Sequence, residues 1–228
     1  MSWFSHLLPV LNRPRRIGLL ALGLACAAST AATAGVTTFT SRSTFEASLP
    51  AGSFFNNFNG TTPTFTPIPS ISGTGGSPSI GYTITAPSAG VAAFPDTGFT
   101  ALGNWGSSNS MIVTFNTGNV GSAGGDIWLS DIDGNRLAGT VTVNFSDGSS
   151  VAVPSTTTGA FGFAGITTTD SILTTMTIVA DPGGEYLNMS NFSVAVAVPE
   201  PSSIMLAGLG LLGLAGVTAR RKKAAARG

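Results

Sequence analysis

From position 141 the chain alternates strictly. Val141, Val143 and Phe145 fall on one face of an extended segment, and Thr142, Asn144 and Ser146 fall on the other. A period of two marks a half-buried β-strand. Asp147-Gly148 follows, and Ser149-Ser150-Val151-Ala152-Val153 resumes the alternation. An Asp-Gly pair between alternating runs is a strong hairpin signal. The same pattern, less regular, predicts further strands at 36–40, 81–86, 110–115, 126–130, 159–164, 173–180 and 187–197. Helical periodicity is nearly absent. Its one instance is Ser43-Thr44-Phe45-Glu46-Ala47-Ser48-Leu49, where a serine three residues before Glu46 resembles a capping box and Pro50 ends the helix. The stretch 60–78 carries Pro63, Pro67, Pro69 and Pro78 and reads as a long surface loop. Many short strands divided by Gly and Pro turns predict an all-β fold, a sandwich or a barrel.

The two ends break this pattern. Arg13, Arg15 and Arg16 precede an apolar run at 17–28, and Ala32-Thr33-Ala34 follows. That order of charge, apolar core and small residues is a secretory signal, with cleavage by signal peptidase expected after Ala34. Gly23-Leu24-Ala25 before Cys26 lacks the leucine of a lipoprotein site, so ordinary cleavage is expected to remove the chain's one cysteine. At the other end, residues 202–219 are apolar except at their edges. This run is just long enough to span a bilayer as a helix. Arg220, Arg221, Lys222 and Lys223 follow directly. Such a cluster prefers the cytoplasmic side, which leaves the body of the chain outside.

Pro199-Glu200-Pro201, the apolar run and the basic cluster together resemble the PEP-CTERM sorting signal of Gram-negative bacteria. The resemblance implies an inner-membrane-anchored precursor that meets an exosortase-type sorting protease. The body then reaches the cell surface or the extracellular matrix. It also implies a setting of exopolysaccharide production and biofilm. The body is similar to a common ectodomain type of that family at Phe39-Thr40-Ser41-Arg42-Ser43-Thr44-Phe45, at Phe161-Gly162-Phe163 and at Asn191-Phe192, where Ser190 replaces an aspartate. This second resemblance implies a jelly-roll-like β-sandwich related to carbohydrate-binding modules. The expected organisation is therefore a signal helix at 1–34, an all-β ectodomain at 35–197 and a sorting and membrane segment at 198–228. Gly208-Leu209-Gly210-Leu211-Leu212-Gly213 spells a dinucleotide-binding motif, but no strand precedes it and no acidic residue lies at the required distance beyond it.

Charge is distributed unevenly. The whole chain is neutral, yet residues 35–197 hold Arg42 and Arg136 against nine acidic residues, a net charge of −7. An acidic exported body argues against nucleic-acid binding. The one histidine is His6, in the signal segment, and 35–197 has no lysine or cysteine. Ser-His-Asp and Cys-His nucleophilic sites, zinc sites built on His or Cys, and lysine Schiff bases are thereby excluded from the ectodomain. The expected role is non-enzymatic and needs no organic cofactor: structural or adhesive within exopolysaccharide, or alternatively that of a carbohydrate-binding module with a defined glycan. A carboxylate-dependent glycosidase is the remaining reading.

Two features are candidate sites. Asp131-Ile132-Asp133-Gly134-Asn135 offers Asp131, Asp133 and Asn135 as oxygen ligands for calcium. The glycine and glutamate positions of an EF-hand do not match, and the alternative, favoured by residue type, is a solvated turn. Trp105, Trp128, Tyr82 and Tyr186 are candidate sugar platforms, since an aromatic face is apolar and rigid and its edge can hydrogen-bond. Trp105 lies in the loop-like Gly103-Asn104-Trp105-Gly106-Ser107 and is the candidate for glycan contact, whereas Trp128, between Ile127 and Leu129, is expected in the core.

Overall fold

The alternating runs form strands that pair into two antiparallel sheets packed face to face in a jelly-roll-like sandwich. The structure is a computed structural model describing residues 35–87, 90–96, 98–106, 110–169, 171–181, 185–197, 208–210 and 212–213. The expected signal segment 1–34, Pro199-Glu200-Pro201 and Arg220-Arg221-Lys222-Lys223 lie outside the described residues. The described residues of the glycine motif, 208–210 and 212–213, are helical. Among the described residues, no helix is long and apolar enough to cross a membrane.

The described strands, in chain order, are β1 (Val36–Phe39), β2 (Phe54–Asn56), β3 (Thr64–Ile68), β4 (Ser70–Gly75), β5 (Ile80–Thr85), β6 (Val91–Asp96), β7 (Phe99–Asn104) and β8 (Ser110–Phe115). They continue with β9 (Val120–Ser130), β10 (Arg136–Leu137), β11 (Gly139–Phe145), β12 (Ser150–Ser155), β13 (Gly162–Thr168), β14 (Thr175–Asp181) and β15 (Tyr186–Val196). One sheet runs β1-β13-β9-β15-β7-β6-β3, with β10 on β9 and β2 on β15. The other runs β12-β11-β14-β8-β5-β4. The predicted hairpin is β11–β12, and its alternation holds: Val141, Val143 and Phe145 are buried while Asn144 and Ser146 are exposed. Between the sheets lies one apolar core, in which Ile84, Met111, Ile127, Leu129, Ile178, Leu187 and Phe192 are buried completely.

The stretch 60–78, expected as a loop, instead supplies β3 and β4. Its prolines and glycines have positional reasons. Each of the two strands lies at an edge of its sheet. There a proline such as Pro67 is tolerated, because a missing N–H breaks no central ladder. Gly73 in β4 sits against the ring of Tyr82, where a Cβ would collide with the phenol. That ring cannot swing away easily. It packs edge-on against Phe192 at 5.1 Å, and its hydroxyl accepts a hydrogen bond from Asn56 Nδ2 at 2.6 Å. Gly73→Ala is expected to destabilise the fold by about 1–3 kcal/mol through overpacking. A urea midpoint unchanged from the parent would contradict this contact.

The short helix α1 (Arg42–Ser48) covers the outer face of the first sheet. Phe45 is its buried residue and packs between Phe39 and Phe163 at centroid distances of 5.3 and 5.4 Å. Gly165 on β13 makes room for that ring, since a Cβ there would approach Phe45 to 3.0 Å. The expected capping box does not form. The N-cap is Ser41, without a side-chain cap, and Glu46 faces Ser193 of β15 at 3.5 Å instead. A helix lying flat on a sheet turns its acidic residue toward the neighbouring strand, away from its own first turn.

Candidate functional site

Strands β9, β15, β7 and β6 lie side by side, and their alternate residues face away from the core. Ile127 and Leu129 point into the sandwich, so Trp128 between them points out. Trp128 and Ser130 from β9, Tyr186 and Asn188 from β15, Ala101 from β7 and Phe94 from β6 form the floor of one cleft. Its walls are Trp105-Gly106, directly after β7, and the turn from Asp131 to Gly134, directly after β9. The volume is about 520 Å³, within the range of small-ligand sites.

The cleft has two kinds of aromatic surface. Trp105 stands on the rim, 37% exposed, and stacks on Phe94 at 6.1 Å with planes 10° apart. Trp128 is 5% exposed and forms a fixed floor. It packs on Phe161 at 4.2 Å and edge-on against Phe99 at 6.1 Å. The Arg136 guanidinium sits 3.9 Å from the centre of the Phe161 ring, a cation–π contact, and its Nη1 donates to the Gly159 carbonyl at 2.7 Å. Polar groups are held with equal care. Asn188 Nδ2 donates to Ser130 Oγ at 2.9 Å and to the Tyr186 carbonyl at 3.2 Å. Asn104 Oδ1 accepts from the Leu187 N–H at 2.7 Å, tying β7 to the start of β15. Rigid aromatic faces beside a few fixed amides and hydroxyls suit a ligand that presents both C–H faces and hydroxyl groups.

Asp131 closes the acidic turn with its own side chain. Oδ1 accepts from the N–H groups of Asp133 and Asn135 at 3.0 and 2.8 Å, and Oδ2 accepts from Asn135 Nδ2 at 2.9 Å. Asn135 thus points its amide N–H at Asp131, and the three candidate calcium ligands form a turn in which two are bonded to each other. Among the described residues, no group of three or more His, Cys, Asp or Glu is arranged to hold a metal ion. The hydrogen bonds from Asn135, its side chain first, hold the Asp131 carboxyl below its usual range despite opposing desolvation. A depressed folded pKa contributes stability above the unfolded value of about 3.9, and that contribution is lost as pH falls through the folded value. An NMR acid titration should show the Asp133 and Asn135 amides shifting with a midpoint below that of a free aspartate. A midpoint at or above it would contradict the closed turn.

Asp126, upstream of this cluster in sequence, is not part of the cleft. It is 2% exposed and lies beneath α1, where it forms an ion pair with Arg42. Arg42 Nε donates to its Oδ1 at 3.1 Å and Asn191 Nδ2 to its Oδ2 at 2.9 Å. Asn191 reaches it from a bulge in β15, with φ of 47°, a left-handed conformation that asparagine tolerates. Ser190, where the resembled family motif has an aspartate, pairs across the ladder with Asp126. An aspartate there would set a second buried carboxylate beside the first. A further cavity of about 370 Å³ beside α1 is lined by Arg42, Glu46, Phe55 and Ser193, with its arginine already committed to Asp126.

The structure therefore brings Trp105, Asp131 and Asp133, two separate sequence candidates, into one site with Trp128 and Tyr186. Tyr82 is not a sugar platform: it is 1% exposed in the core. Trp128 is buried as expected but on the opposite face from the core. The alternation around it carried that signal, because a residue between two core residues of a strand must face the other way. Phe94, Ser130 and Asn188 had no distinguishing sequence context.

The family model for the PEP-CTERM protein-sorting motif matches residues 197–222. No curated protein matches the chain. Among solved structures it is similar to mutants of CBM29-2, a family 29 carbohydrate binding module. One is 11% identical with a TM-score of 0.31, covering 61% of this chain and 97% of that one. Another, complexed with cellulohexaose, is 10% identical with a TM-score of 0.30, covering 65% and 95%. The match at the C-terminus stands on its own: the chain carries a PEP-CTERM protein-sorting motif, which implies an exported protein processed by an exosortase-type sorting protein.

Proposed function

We propose that the exported ectodomain is a polysaccharide-binding protein of the cell surface or extracellular matrix, with its ligand in the cleft of the first sheet. The observation that carries this reading is Trp105, exposed on the rim and braced by Phe94, above a floor of Trp128, Tyr186 and Asn188. Such a face stacks on the apolar side of a sugar ring, while the fixed amides and hydroxyls meet its hydroxyl groups. An open, rigid aromatic cleft supports a defined ligand over a purely structural place in a biofilm matrix. The role is non-enzymatic. Glycoside hydrolysis needs two carboxyl groups on either side of the scissile bond, about 5–10 Å apart. Asp131 and Asp133 share one turn on one wall, and Asp126 is sequestered by Arg42.

Affinity electrophoresis of the exported protein through gels containing polysaccharide tests the binding, with intact mass fixing which ends have been removed. Retardation by at least one soluble polysaccharide and a released species lacking both the signal and the tail are expected. Free migration through every gel, including one cast with the cell's own matrix polysaccharide, would overturn the binding role. A membrane species retaining Arg220 to Lys223 as the mature form would overturn release into the matrix.

A further inference from the structure

We infer that the cleft selects uncharged polysaccharide and rejects chains bearing uronate, sulfate or phosphate groups, an inference that rests on the glycan-binding reading above. Among the described residues, none that lines the cleft is cationic. Its charged lining residues are Asp131 and Asp133, both on one wall. Residues 35–197 have only two positive side chains with which to answer an anionic ligand. Arg42 is bonded to Asp126 beneath α1, and Arg136 is spread over the Phe161 ring and bonded to the Gly159 carbonyl. Arg136 pairs across the ladder with Ser130, so it shares the outer face of the sheet, but it is held against Phe161, which packs on Trp128, and it does not line the cleft. Carboxylate and phosphate recognition calls for a bidentate arginine or a cluster of cations, and none lines this site.

Repulsion comes in addition to the missing partner. Asp133 is exposed on the turn beside the exposed Ile132, so any chain lying across Trp105 and Tyr186 passes within reach of its carboxylate. The rest of the domain reinforces that sign, with its net charge of −7. Fields of this kind act over about 8 Å at physiological ionic strength and weaken with added salt. In a polyanionic matrix, the protein would therefore hold the neutral chains.

The test compares matched polymers that differ only in charge: a neutral β-glucan, and the same polymer oxidised at its primary alcohols to carboxylates. Binding of the exported protein is measured by affinity electrophoresis at low and high salt. Expected is at least about tenfold weaker binding to the oxidised polymer, with the gap narrowing at high salt. Asp133→Asn is expected to raise affinity for the oxidised polymer severalfold. Equal or tighter binding to the oxidised polymer that Trp105→Ala abolishes would overturn the selectivity and leave the cleft as the glycan site. Should neither polymer bind, the comparison is repeated with neutral and carboxylated pairs of mannan and galactan. Binding that is insensitive to Trp105→Ala in every pair would overturn the glycan-binding reading and this inference with it.

Discussion

Trp105→Ala is expected to weaken binding to neutral polysaccharide by about 30- to 150-fold, the effect of losing about 2–3 kcal/mol at a central aromatic anchor. The reasoning starts from the side chain's two faces. One lies on Phe94 with planes 10° apart, which fixes the indole before any ligand arrives. The other faces the cleft and contributes to the 37% exposure of the residue. A sugar ring placed there removes apolar surface on both partners from water without ordering a mobile side chain. Truncation removes that platform and uncovers Phe94. Because Trp105 follows the last residue of β7 and is partly solvated, the fold should lose only about 1 kcal/mol, as expected outside the core. Binding and stability thus separate: isothermal titration should show the large loss, while the unfolding midpoint shifts by a few degrees. Parent-like affinity in a folded variant would remove Trp105 from the site.

The second large effect concerns stability. Arg42→Met is expected to destabilise the ectodomain by about 2–4 kcal/mol. Removing one partner of a buried ion pair costs about 3–5 kcal/mol because the other charge is left without compensation. The lower range applies here because the Arg42 side chain is 35% exposed while that of Asp126 is 3% exposed, so water reaches one end of the pair. Asn191 remains as a donor to Oδ2, but a single amide does not replace a guanidinium. In a domain of this size each kcal/mol shifts the midpoint by roughly 2–4 °C, so a drop of about 4–16 °C is expected in a thermal melt. Pairing the change with Asp126→Leu removes the stranded charge and should recover part of the loss. A cost below about 0.5 kcal/mol, typical of surface pairs, would contradict the buried pairing.

These two sites show how far the sequence could be read. The hairpin of β11 and β12 was legible because Val141, Val143 and Phe145 repeat every second residue around an Asp-Gly turn. Strands β3 and β4 were hidden because Pro67, Gly73 and Gly75 carry the composition of a loop. Their meaning is positional: they occupy sheet edges and the space beside Tyr82 and Phe54, which only the tertiary packing defines. Trp105 and the Asp131–Asn135 turn were visible separately. Their convergence required β9, β15, β7 and β6 to lie side by side, an order far from the order of the chain. The Arg42–Asp126 pair spans 84 positions, and no local pattern announces it. The C-terminal sorting signal was the most legible part, because the Pro-Glu-Pro triplet, the apolar length and the basic cluster stand next to one another in the chain.

Fluorescence gives the most direct test of the central claim. Of the chain's three tryptophans, Trp3 lies in the stretch 1–34 expected to be cleaved as a signal, while Trp105 and Trp128 both line the cleft. In the mature protein the entire tryptophan emission therefore reports on the proposed site. Titration with a neutral polysaccharide that retards the protein in a gel should give a saturable blue shift, with the same apparent affinity as the retardation. Emission that stays unmoved while the protein is fully bound would place the ligand elsewhere and contradict the account.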